Sequence, residues 1–157
     1  MDIVYFRFEE DFVEDGIRCI PMVVRQKLDA AGIKLKLGQW VHFNEGEREL
    51  LALMPVNTPQ KIDQYRKYLT GLIKKVTGEE ASHLQIEENP AWKELNKVPE
   101  VLSEQAKKYD LHISTRQWQQ LKPLQRFALI KLCRPGHENR NFPIAMEEFG
   151  LSKLIPH

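Results

Sequence analysis

The chain has 157 residues, 42% hydrophobic and 29% charged, a composition with room for a sizeable core and unlike that of a disordered segment. Its 23 basic side chains meet 22 acidic ones, a formal charge of +1, and that balance argues against a dedicated nucleic-acid binder. Two cysteines with no CxxC spacing, an acidic N-terminus and no apolar run near the ~20 residues of a membrane span give the pattern of a cytoplasmic protein without structural zinc or signal peptide.

Taken in order, Val4 to Phe8 alternate, with Val4, Phe6 and Phe8 on one side, and predict an extended N-terminal arm laid against the body. Glu9, Glu10, Asp11, Glu14 and Asp15 follow without a DxDxDG loop, so they read as a solvated acidic turn or as partners for nearby arginines. Pro21 opens a helix whose apolar face is Ile20, Val23, Val24, Leu28 and Ala31, and Gly32 stops it. Ile33 to Leu37 alternate over a stretch too short to decide between a strand and a buried connector. A short helix carries Trp40 and Phe43. Asn44 and Glu47 then form a capping box that opens a helix through Met54.

Thr58-Pro59 begins the clearest helix, with Ile62, Tyr65, Leu69, Leu72, Ile73 and Val76 on one stripe and Gly78 at its end. Residues Gly78 to Asn89 read as a linker between halves, and Asn89-Pro90 opens a short helix with Trp92. Pro99 starts a helix with Val98, Val101, Leu102, Ala106 and Tyr109 on its apolar face. Ser114 and Gln117 form a second capping box before Trp118, and Pro123 starts a further helix. After a polar loop, His137 to Asn141, a last amphipathic helix runs from Pro143 to Phe149.

Residues 20–53 align without a gap on residues 98–131, an offset of 78. Pro21 meets Pro99, Gln39-Trp40 meets Gln117-Trp118, and Arg48 meets Arg126, with apolar positions kept between them. The expected architecture is therefore an all-α, single compact helical domain over residues 1–157. It is built from an internal duplication, two helix–connector–helix–helix repeats with halves at about 1–78 and 79–157, plus the N-terminal arm.

Chemistry is sparse. Arg48 and Arg126 precede core leucines by three residues, so each guanidinium lies on or beside a buried face and needs carboxylate or carbonyl partners. They read either as repeat-related anchors, tied through acids such as Glu9 or Glu147, or as a paired anion site with His137 nearby. Trp40 and Trp118 read as core plugs. Cys19, beside Arg18 and a helix start, is a candidate reactive thiol. No GxSxG, P-loop, GxGxxG or HExxH occurs, and no nucleophile–base–orienter set, so no catalytic residue, metal ligand or cofactor is assigned. The helix–connector–helix units carry Leu, Phe and Ala where a DNA-reading helix needs polar side chains.

The stretches FRFEEDF, IRCIPMVVRQKLDAAGIKLKLGQW, STRQWQQLKPLQRFALIKL, RPGHENRNF and the terminal EFGL resemble the nitrate reductase associated protein family over nearly the whole chain. That family is named for genes lying near those of assimilatory nitrate reductase and the molybdopterin cofactor. The resemblance implies a non-enzymatic accessory or assembly factor that docks on nitrate reductase or on a molybdenum-cofactor delivery protein, and it implies no established catalytic residues. The polar face of the first repeat helix, Arg25, Lys27 and Asp29, is the candidate contact. The alternative is a binder of small anions or phosphorylated pterins that uses Arg48, Arg126 and His137 between the repeats.

Overall fold

The computed structural model describes residues 5–9, 19–135 and 137–152, and only the main chain at His137 and Glu138. The acidic positions Glu10, Asp11, Glu14 and Asp15, together with Val4 and Arg18, lie outside the described residues. The protein is mostly helical. Its contacts divide it into two units, residues 1–87 and 88–157.

In the first unit, Arg7–Glu9 is a 3-10 turn where the alternation had suggested extended chain. It buries Phe6 and Phe8 together, their rings 5.5 Å apart. Helix α1 (Met22–Ala31) begins after Pro21, which caps the helix rather than occupying its first position, and ends at Gly32. Gly32 has φ +70°, and a Cβ there would sit 2.9 Å from the Ile86 side chain and 3.2 Å from the Leu84 carbonyl. Both its torsion and its close approach therefore require glycine.

Strand β1 (Ile33–Lys34) pairs antiparallel with β2 (Ser82–His83), Ile33 opposite His83. Part of the stretch read as a linker thus belongs to the first unit, and the division after Glu87 falls within that stretch. Helix α2 (Leu37–Trp40) and helix α3 (Glu45–Leu53) follow, α3 opened by the reciprocal Asn44–Glu47 box at 2.8 Å in each direction. Helix α4 (Pro59–Thr77) starts at Thr58, whose hydroxyl accepts from the Lys61 amide, and stops at Gly78 in the left-handed region. Its stripe Tyr65, Leu69, Leu72 and Ile73 packs into one core with Val24, Leu28, Trp40, Phe43 and Leu51.

In the second unit, a 3-10 turn (Ala91–Lys93) precedes helices α5 (Glu100–Lys107), α6 (Thr115–Gln120) and α7 (Pro123–Lys131). A 3-10 turn (His137–Asn141) leads into α8 (Phe142–Glu148). Leu102, Ala106, Trp118, Leu121, Phe127, Leu129, Phe142 and Met146 are its buried centre. Two of the face positions assigned to α5 come out differently. Val101 is 48% and Tyr109 38% exposed, the latter with its ring stacked on Phe142 at 5.7 Å. The Ser114–Gln117 box forms as the sequence predicts.

Candidate functional site

Arg126 is buried, at 7% exposure, on α7. Its Nε donates to the Trp92 carbonyl at 2.8 Å and its Nη1 to the Leu121 carbonyl. The guanidinium carbon lies 5.9 Å from the Trp118 ring centre, within cation–π range, and burial lowers the Arg126 pKa from its ordinary value. The residue pins the 91–93 turn against α7. Trp118 is fully buried and donates through Nε1 to the Glu94 carbonyl at 2.6 Å, while Gln119 reaches the Leu95 carbonyl at 2.9 Å.

Arg48 is half-buried on α3, and its Nη1 donates to the Phe43 carbonyl, five residues back, as Arg126 does to Leu121. Tyr5 lies in its neighbourhood. Burial first, then Glu49 and Glu9, push the Tyr5 phenol pKa up, with Arg48 acting the other way. Arg48 thus belongs to the first unit, Arg126 and His137 to the second, and the donor contacts of both arginines run to main-chain carbonyls of their own unit.

The polar face of α1 is not the open surface that its spacing suggested. Arg25, Lys27 and Asp29 are all half-buried. The Lys27 ammonium donates to the Ala52 carbonyl at 2.7 Å and the Met54 carbonyl at 2.6 Å, closing the end of α3, and burial lowers its pKa. A helix leaves its last carbonyls unbonded, and a charged donor is a strong partner for them. Arg25 donates through Nε to the Ile20 carbonyl at 2.6 Å, and neither it nor Asp29 lacks a partner.

Glu9, which the sequence offered as part of a solvated turn or as an arginine partner, has a helix-capping role that the sequence did not suggest. Glu9 is 4% exposed. Its Oε2 accepts from the Phe6 amide at 3.1 Å and its Oε1 from the Met22 amide at 2.7 Å, the first residue of α1. It supplies the side-chain cap that Pro21 cannot, at the end of the helix where a negative charge is favoured. The 13-residue separation from Met22 gives no local signal for this role.

Cys19 is half-buried with a partner, and neighbouring Arg18 lies outside the described residues. Cys133 donates through Sγ to the Leu129 carbonyl, and burial pushes its thiol up to about 11. Among the described residues no group of three or more His, Cys, Asp or Glu could hold a metal ion. None of their helices is long and apolar enough to cross a membrane.

One family model, described as conserved nitrate reductase-associated protein, matches residues 5–149. No curated protein and no solved structure gives a match.

Proposed function

Because the chain belongs to the conserved nitrate reductase-associated protein family, we propose that it is a non-enzymatic accessory or assembly factor for assimilatory nitrate reductase, working by protein docking in the cytoplasm. The single observation that carries this reading is the extent of the family match, 5–149 of 157 residues. The partner is the reductase or a protein that delivers its molybdenum cofactor. Arg25 and Asp29 stay in the proposal as contact residues. Lys27 does not, because its ammonium is committed to the end of α3.

The test is reciprocal co-purification of the tagged chain with nitrate reductase from nitrate-grown cells, alongside reductase activity in a deletion strain. Specific recovery of the reductase or a cofactor-delivery protein, with lowered activity in the deletion strain, is the expected result. Recovery of neither, with undiminished activity, refutes the proposal. The alternative anion-binding reading is the weaker proposal, since part of each guanidinium already donates to a main-chain carbonyl.

The duplication belongs to the same proposal. It is supported by local geometry repeated at the offset of 78. Helices Glu45–Leu53 and Pro123–Lys131 occupy matched positions. The amides of Lys36 and Ser114 donate to Gln39 and Gln117 at 3.0 and 2.9 Å, and those of Asn44 and Lys122 to Glu47 and Gln125 at 2.8 Å each. The Arg48–Phe43 and Arg126–Leu121 contacts form a further matched pair.

A further inference from the structure

We propose that the 137–141 turn is a strap that closes the second unit, with Asn139 serving where a lysine ammonium serves in the first. The inference rests on the duplication proposed above. In the first unit, Lys27 of α1 reaches the Met54 carbonyl at the end of α3 directly. At the offset of 78, Lys27 becomes Gln105 on α5 and Met54 becomes Leu132 after α7. A glutamine amide is one bond shorter than a lysine ammonium. Gln105 is buried, and its Nε2 donates to Asn139 Oδ1 at 3.3 Å, while Asn139 Nδ2 donates to the Leu132 carbonyl at 2.7 Å. The strap therefore fills the gap that the shorter side chain leaves.

The two ties differ in what they depend on. The first lies wholly between α1 and α3. The second passes through the separate 137–141 turn, and the groups that make it, Gln105, Asn139 and the Leu132 carbonyl, are neutral. Breaking the tie strands two carboxamides and one carbonyl, all neutral, which water can satisfy. Asn141, at the far end of the strap, is buried with its Nδ2 unpartnered among the described residues, so the closed state leaves one amide unsatisfied. The neutral, part-buried character of the tie makes the strap a candidate for local opening, and local opening of this kind is how binding segments are exposed.

The test is a double-mutant cycle on the full chain, read by thermal unfolding and amide hydrogen exchange. Asn139→Ala should lower Tm by about 2–4 °C, the shift expected from one lost part-buried bridge in a chain of this size. In a Gln105→Lys background the same substitution should change Tm by less than about 1 °C, because the lysine reaches the Leu132 carbonyl itself. Equal losses in both backgrounds, or no loss in either, overturn the proposal. Should Gln105→Lys fail to fold, exchange in the wild-type chain decides. Strap amides that exchange ahead of those of α5 and α7 support it, and strap amides that exchange only with them overturn it. The cycle reads contacts inside the second unit alone, so it can fail while the duplication stands. The duplication would instead fall to a crystal structure in which residues 20–53 do not superpose on 98–131.

Discussion

Replacing Arg126 by alanine should be among the costliest single changes in this chain. The substitution removes both donors from the Trp92 and Leu121 carbonyls and the cation from the Trp118 ring. A buried acceptor left without its donor costs about 1–3 kcal/mol. Leu121 is buried and deserves about 2 kcal/mol on that scale, while Trp92 is half-buried, so water reaches its carbonyl and about 1 kcal/mol is apt. The lost cation–π contact adds about 1 kcal/mol. The sum is about 4 kcal/mol, a large part of the ~5–15 kcal/mol that holds a typical domain.

Arg48→Ala, at a half-buried site with the single Phe43 contact, should cost about 1–2 kcal/mol. Arg126→Lys should fall between wild type and Arg126→Ala, because an ammonium keeps the charge but cannot bridge both carbonyls as a planar fork does. Urea unfolding followed by circular dichroism is the assay. With a slope of about 2 kcal/mol per molar, the Arg126→Ala midpoint moves down by about 2 M. An Arg126→Ala protein within about 1 kcal/mol of wild type, or an Arg48→Ala protein that is the less stable of the two, refutes the reasoning. Unchanged stability together with lost phosphate binding would restore the anion-site reading.

Tyr65→Phe tests a buried phenol that donates to the Leu51 carbonyl at 2.7 Å and whose pKa burial raises well above 10.0. The folded state holds the proton longer than the unfolded one, so the wild-type advantage is constant below about pH 10 and should fall by up to about 1.4 kcal/mol per pH unit above it. Denaturant titrations at pH 9 and pH 11 check this, and a gap that widens with pH contradicts it. Cys133, with its thiol at about 11, should resist iodoacetamide at pH 8 until the chain is unfolded. Peptide mass mapping that finds Cys133 alkylated in the folded protein removes that assignment. Gly32→Ala should destabilise more than Gly78→Ala. Both have positive φ, but only at Gly32 does the new methyl meet the Ile86 side chain and the Leu84 carbonyl. A Gly78→Ala loss equal to that of Gly32→Ala in thermal melts rejects the steric account.

What the sequence discloses and what it withholds divide along one physical line. Capping boxes, proline starts and glycine stops act within a few residues. Asn44–Glu47, Ser114–Gln117 and the span from Thr58 to Gly78 were accordingly legible in outline. The pairing of Ile33 with His83 spans 50 residues, and its second strand, Ser82–His83, has no strand pattern of its own, so that strand was read as a linker. Val101 and Tyr109 kept helical spacing and still came out exposed, because spacing names a face without saying whether another element covers it.

The same division explains why the partners of the charged residues could not be named from the sequence. The sequence shows which cations lie near buried faces, and it shows which acids could answer them. A backbone carbonyl has no letter of its own. Arg25, Lys27, Arg48, Arg66 and Arg126 each donate to one or two carbonyls: Ile20, Ala52 and Met54, Phe43, Ala31, and Trp92 with Leu121. Most of these carbonyls lie at helix ends or in the turns between helices, where the helical ladder leaves acceptors unbonded. Short helices of four to ten residues, which dominate this chain, have many such ends for their length. These buried and half-buried cations thereby serve mainly at helix ends and at the turns between helices. Arg48 and Arg126 each donate to the carbonyl five residues back, at a turn before their own helix, and that shared local geometry gives the two arginines a common structural role.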